Sequence, residues 1–199
     1  MVSGGKVKPW IVGITGASGA VYGTRLIEVL LDSGIPVHAV ITDAGWRVLH
    51  EELGWNAARR QETLQEKFDG RVRYYPNQDI GASVASGSFL TAGMVIVPCS
   101  MGTLSGIANG ASDNLLERAA DVTLKEGRRL LVVPRETPLH AIHLENMLKL
   151  ARMGVRIIPA MPAFYQKPRS MDELVDFMVG KLLDSMEIEH HLYRRWGEE

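Results

Sequence analysis

Trp10-Ile11-Val12-Gly13-Ile14-Thr15-Gly16-Ala17-Ser18-Gly19-Ala20 is the stretch that decides the fold. Trp10 to Thr15 is a short apolar run that ends in glycine-rich sequence, which suits a buried parallel strand. Tyr22 to Leu31 follows with helical spacing. Leu26, Ile27, Leu30 and Leu31 are apolar, and Gly34 is a stop signal. A strand, a glycine loop and a helix in that order make a place where backbone N–H groups can close on a phosphate. The helix N-terminus adds partial positive charge there.

Outward from that unit the chain keeps alternating. Val37 to Ile41 reads as a second strand, and Trp46 to Leu53 as a helix. Met94 to Val97 is a third strand stopped by Pro98, Leu130 to Val133 a fourth stopped by Pro134, and Val155 to Ile158 a fifth stopped by Pro159. Asn114 to Lys125 is helical. A further helix is expected with Thr137 as N-cap and Pro138 at its first position, closing at Gly154, with Leu139, Ile142, Met147, Leu148 and Ala151 on one face. The last helix opens on Ser170 and Glu173 at capping-box spacing. Residues 54–92 are polar and mixed, and read only coarsely. Strands alternating with helices predict an α/β fold: a single-domain, Rossmann-like, doubly wound parallel sheet flanked by helices over residues 1–199.

Composition sets limits on function. Hydrophobic residues are 46% and charged residues 23%, ordinary for a soluble globular protein. A formal net charge of −1 offers no nucleic-acid footprint and no membrane-surface patch. One cysteine, Cys99, permits neither an internal disulfide nor a zinc cluster. Residues 1–9 lack the apolar stretch of a signal peptide, and no run would span a bilayer, so a cytoplasmic enzyme is expected.

Ligands of such sheets bind beyond the carboxyl ends of the strands, and four of those ends carry chemistry-capable residues. The first is the Gly13 to Ala20 loop, read as a phosphate cradle. It lacks the G-x-G-x-x-G pattern of dinucleotide folds, and no tyrosine is followed four residues later by lysine, as in short-chain dehydrogenases. The second strand ends in Thr42. Asp43 beside it keeps NAD as an alternative, but a mononucleotide such as FMN fits better. The second end is Pro98 to Thr103, whose hydroxyls and N–H groups could hold a ribityl or phosphate group, or simply cap a helix through Ser100. Cys99 there reads as a small buried hydrophobe. The third is a cation set: Arg118 and Lys125, seven apart on one helix, and Arg135 after the fourth strand. The fourth is Met161 to Tyr165, with Lys181 on the last helix. His140 and His143 form an i, i+3 pair read as structural or surface residues, and no metal site is expected.

At this point the sequence resembles the UbiX-type flavin prenyltransferases over nearly its whole length. The matching stretches are Thr15 to Ala20, Ala85-Ser86-Gly87-Ser88, Pro98 to Thr103, Asn114 to Val122, Val133-Pro134-Arg135-Glu136, His143 to Met147, Pro162 to Tyr165 and Arg195-Trp196-Gly197-Glu198. The resemblance implies non-covalent FMN binding at the interfaces of a homo-oligomer, typically a dodecamer. It implies a reaction of reduced FMN with dimethylallyl phosphate that forms bonds at flavin N5 and C6 and releases phosphate. The product would serve a partner decarboxylase of the UbiD type. By match, the FMN site comprises Gly16, Ala17, Ser18, Thr42, Ser100, Met101, Gly102, Thr103 and Arg135. The prenyl-phosphate site comprises Arg118, Lys125, Arg135, Tyr165 and Lys181, with Trp196 nearby. Glu52 aligns with the family's acid–base glutamate, and Ser18 and Tyr165 join it as catalytic candidates. Thr42 stands where some relatives have serine, and Lys181 where some have arginine, which loses the bidentate fork.

The chemistry agrees with the resemblance. Diphosphate prenyltransferases hold Mg²⁺ with adjacent aspartates, and no two aspartates are adjacent here. Arg118, Lys125, Arg135 and Lys181 could stabilise the leaving phosphate instead, each charge-assisted hydrogen bond contributing on the order of 1.5–3 kcal/mol. A flavin-dependent cysteine decarboxylase of the same superfamily would carry asparagine where Gly102 stands. A plain flavin carrier would have no need of the phosphate-binding cations.

Overall fold

A computed structural model describes residues 7–197; residues 1–6 and Glu198 of the terminal matching stretch lie outside them. Six parallel strands form one sheet in the order β3-β2-β1-β4-β5-β6. They are β1 (Trp10–Ile14), β2 (Val37–Ile41), β3 (Val72–Pro76), β4 (Gly93–Cys99), β5 (Arg129–Pro134) and β6 (Arg156–Ile157). The helices are α1 (Ala20–Asp32), α2 (Asp43–Leu53), α3 (Arg60–Lys67), α4 (Met101–Ala108), α5 (Leu115–Lys125), α6 (Ala141–Arg152) and α7 (Met171–Met186), with a 3-10 turn at Ser83–Ala85. This is the doubly wound α/β architecture that the alternation predicts.

Period-two alternation along the strands divides the core in two. Val12, Ile14, Ala39, Ile41, Val95 and Val97 face the layer of α1, α2, α3 and α7. Ile11, Val40, Met94, Ile96, Leu130 and Val132 face α4, α5 and α6. Every residue of β1, β2 and β4 is buried, as expected for strands covered on both faces. Full burial of each such side chain contributes about 1.5–3 kcal/mol.

Four expectations need correction. Residues 54–92 contain a sixth strand, β3, at the sheet edge. Its exposed Arg73 and Pro76 break the run and hide it from a search for apolar stretches. The third strand does not stop before Pro98 but continues to Cys99, with an irregularity in its pairing to β5. The helix expected from Thr137 begins at Ala141 with His140 in extended N-cap conformation. The Thr137 amide donates to the Glu136 carboxylate at 2.9 Å, the chain bends through 137–138, and the backbone is still extended at His140. The apolar face expected on that helix is also largely turned outward. Ile142 is 62% exposed and Leu148 51%, while Asn146 and Leu150 are the buried positions.

Candidate active site

The strand order reverses between β1 and β4, and the loops there open a crevice beyond the carboxyl edge. Thr15 ties the two strand ends together. Its hydroxyl donates to the Pro98 carbonyl (2.9 Å) and accepts the Ser100 amide (2.7 Å). The chain then turns through Gly16, Ala17 and Ser18 to Gly19. Gly19 has φ +103°, a left-handed conformation that only glycine adopts without strain. A Cβ at Gly16 would overlap that of Ala44, so the loop lies directly against the start of α2.

Glu52, near the end of α2, closes the far side of this loop. Its carboxylate accepts the Gly19 amide (3.1 Å to each oxygen) and the Ala20 amide (2.9 Å). The charge therefore sits on the N-terminus of α1, where the helix dipole favours an anion. Burial first, and the Glu52 carboxylate second, push the nearby Tyr22 hydroxyl above its usual pKa. The amides of Gly16, Ala17 and Ser18 have no hydrogen-bond partner among the described residues, and Ser18 is exposed. They are the donors left for a ligand.

Two further helix N-termini meet this edge. Thr42 caps α2 by accepting the Gly45 amide at 3.0 Å. Ser100 caps α4 through the Thr103 amide (3.4 Å) and donates to the Thr103 hydroxyl (3.1 Å). Met101 is buried beneath them. A Cβ at Gly102 would meet no atom within 4 Å, so the first turn of α4 borders open space. A planar flavin with its ribityl phosphate fits this donor set: open amides, capping hydroxyls and room beside a glycine. Cys99 is fully buried, and burial pushes its thiol up to about 12, so it is neither nucleophile nor ligand at neutral pH.

The cations divide. Arg118 pairs with Asp121 (2.8 Å) and Lys125 pairs with Glu126, both on α5. Lys181 lies on α7, 3.8 Å from Asp184. Helices α5 and α7 cover opposite faces, so the sheet stands between Arg118 and Lys125 on one side and Lys181 on the other. Arg135 follows β5, with its amide on the Cys99 carbonyl (3.3 Å) and its side chain exposed. Tyr165 packs edge-on against Phe177 of α7 and against Trp196, with ring centroids 6.0 and 5.3 Å away. It lines a cleft of about 660 Å³ with Lys167, Arg194, Arg195 and Trp196. One chain thus brings together Ser18, Glu52, Thr42 and Ser100 to Thr103, and separately Tyr165 and Trp196, with Lys181 beside Asp184 on α7.

Sequence reasoning left two contributors without a role. Asp184 gathers the C-terminal segment, accepting from Tyr193, His190 (3.2 Å) and Arg195 (2.9 Å). Burial works to raise its pKa, but these bonds hold it down to about 2. The other is Gly87, whose backbone lies against Lys125. The Ala85 to Ser88 match was its only signal.

Fold and site together define the class: an α/β protein with a crevice suited to a mononucleotide at its topological switch point. The flavoprotein family model matches residues 3–185. A flavin prenyltransferase UbiX of Halalkalibacterium halodurans is 60% identical over 193 residues, spanning 96% of this chain and 94% of that protein. The crystal structure of AnUbiX (PadA1) in complex with FMN and dimethylallyl pyrophosphate superposes with a TM-score of 0.90 at 37% identity, over 98% of this chain and 100% of that one. A dodecameric FMN-dependent Ubix-like decarboxylase from Escherichia coli O157:H7 gives 0.88 at 43% identity, over 96% and 100%. The chain belongs to the flavoprotein family and, within it, to the UbiX-type flavin prenyltransferases.

Proposed function

We propose that this chain joins the dimethylallyl group of dimethylallyl phosphate to N5 and C6 of reduced FMN, releasing phosphate, and that the prenylated flavin serves a UbiD-type decarboxylase. The observation that carries this reading is the Glu52 carboxylate, fixed on the amides of Gly19 and Ala20 beside the open amides of Gly16 to Ser18. A flavin held there by Gly16, Ala17, Ser18, Thr42, Ser100, Met101, Gly102, Thr103 and Arg135 would have a general base at its edge.

Reduced FMN supplies the nucleophilic positions. The chain's own residues do the rest. The prenyl C–O bond breaks with its electron pair going to phosphate, and that charge is met by Arg118, Lys125, Arg135 and Lys181 with the Tyr165 hydroxyl. Bonding at N5 releases the N5 proton, which Glu52 would accept and return to the former prenyl double bond as C6 bonds to its far carbon; Glu52 would then take the proton lost from C6, with Ser18 at the same edge. Aromatic rings of Tyr165 and Trp196 shelter the allylic carbon.

Because the sheet separates Arg118 and Lys125 from Lys181, a complete phosphate site draws on more than one protomer. The exposed Ile142, Leu144 and Leu148 of α6 are a surface that a second copy would cover. We therefore assign a homo-oligomer, a dodecamer in its full form. Among the described residues no helix is long and apolar enough to cross a membrane. Phosphorus NMR tests the reading: phosphate should be released from dimethylallyl phosphate only when reduced FMN is present. Release with oxidised FMN, or none at all, would reject it.

A further inference from the structure

The Ala85 to Ser88 stretch matches the family pattern yet has no part in the function above. It runs from the last residue of the 3-10 turn towards β4, and it is clamped at both ends. Downstream, Arg128, in the turn between α5 and β5, donates one guanidinium nitrogen to the Phe89 carbonyl (2.8 Å) and the other to the Gly87 carbonyl (2.6 Å). Upstream, the Tyr75 hydroxyl bridges His38 Nδ1 and Ser83 Oγ, 2.9 Å from each. The Phe89 ring tilts onto the His38 ring at 5.2 Å, which links the two ends.

The two carbonyls belong to different residues, and only a planar fork presents two fixed donors to both at once. In a trans peptide the N–H points opposite to the carbonyl. Turning the Gly87 carbonyl to Arg128 therefore sends the Ser88 amide away from the guanidinium, and that amide has no partner among the described residues. Gly87 is also the seat of Lys125. A Cβ placed there would lie 2.8 Å from the Lys125 ammonium and would overlap the Glu126 carboxylate that pairs with it. Where the turn sits decides where the ammonium sits.

We propose that Arg128 is a positioning residue: forked onto the carbonyls of Gly87 and Phe89, it fixes the 86–89 turn under Lys125 and so sets the affinity for the prenyl phosphate without touching the flavin site. The proposal rests on the prenyl-transfer reading, in which Lys125 binds the phosphate. Calorimetry of dimethylallyl phosphate on FMN-loaded protein, beside FMN binding by fluorescence quenching, separates the two ligands. Arg128→Lys keeps the charge but cannot hold both carbonyls. It should weaken dimethylallyl phosphate binding about tenfold, the worth of one lost charge-assisted bond, and leave FMN affinity within about twofold. Gly87→Ala, with Arg128 intact, should displace Lys125 by contact and give the same split; it decides the matter if Arg128→Lys does not fold. Unchanged phosphate affinity in a folded variant, or parallel loss of both ligands, would overturn the proposal. A wild-type chain that binds FMN but no dimethylallyl phosphate overturns the prenyl-transfer reading itself, and this proposal with it.

Discussion

The Glu52 carboxylate lies 2.9 Å from the amide nitrogen of Ala20, the first residue of α1. This contact carries an acid from the end of one helix to the start of another, at the mouth of the glycine loop. Glu51, its neighbour in sequence, makes no such contact. Glu52→Gln should keep FMN affinity and slow formation of prenylated flavin by about 10²-fold or more, the range for a lost general acid–base. Glu51→Gln should turn over like the wild type. Single-turnover rates of the two variants, both loaded with FMN, check this, and equal rates would remove Glu52 from the chemistry.

Gly102 offers a test of the flavin site that is insulated from folding. It sits in the first turn of α4 facing open space, and glycine in a helix is about 1 kcal/mol worse than alanine. Gly102→Leu should therefore leave the thermal midpoint unchanged or slightly raised. The added side chain fills the space read here as the flavin's, so FMN affinity should fall at least about tenfold, read by fluorescence quenching. Wild-type FMN affinity in Gly102→Leu would place the flavin elsewhere.

A site shared between protomers can be rebuilt from two broken ones. Arg118→Ala and Lys181→Ala should each be nearly inactive alone. Co-assembled at equal ratio, they should regain activity from the about one quarter of sites that draw both residues from unaltered copies. If mixing restores nothing, the two cations do not meet across an interface.

The buried His38 makes stability depend on pH. Burial first, and then the Arg73 guanidinium, hold its pKa down to about 4, against an ordinary value of 6.5. Below pH 6.5 the unfolded chain takes up a proton that the folded chain refuses, so stability falls as pH drops and levels off near pH 4. The loss reaches about 3 kcal/mol. Thermal midpoints between pH 7 and 4.5 should show this slope in the wild type, and His38→Gln should flatten it. Identical slopes in both would assign the acid sensitivity to other groups.

How much of this was legible in the sequence follows from how each element is buried. β1 and β2 lie between two helical layers, so they read as unbroken apolar runs and their bounds come out within a residue. β3 is an edge strand, and its exposed Arg73 and Pro76 break the run. Thr137 and Pro138 carry good helix-start chemistry, but the chain stays non-helical through His140 and the helix begins at Ala141. In the site, the glycine loop and the Ser100 cap announce themselves by residue type. Glu52 does not, because only the turn of α2 distinguishes it from Glu51. Arg128 is one of two adjacent arginines, and nothing in the pair tells which one reaches back to Gly87 and Phe89.

The central claim is that the chain builds a new flavin without a metal. Mass spectrometry of the flavin after incubation with reduced FMN, dimethylallyl phosphate and excess EDTA tests it most directly. The account predicts a flavin heavier by one prenyl unit, formed at the same rate as without EDTA. Recovery of unmodified FMN alone would contradict it.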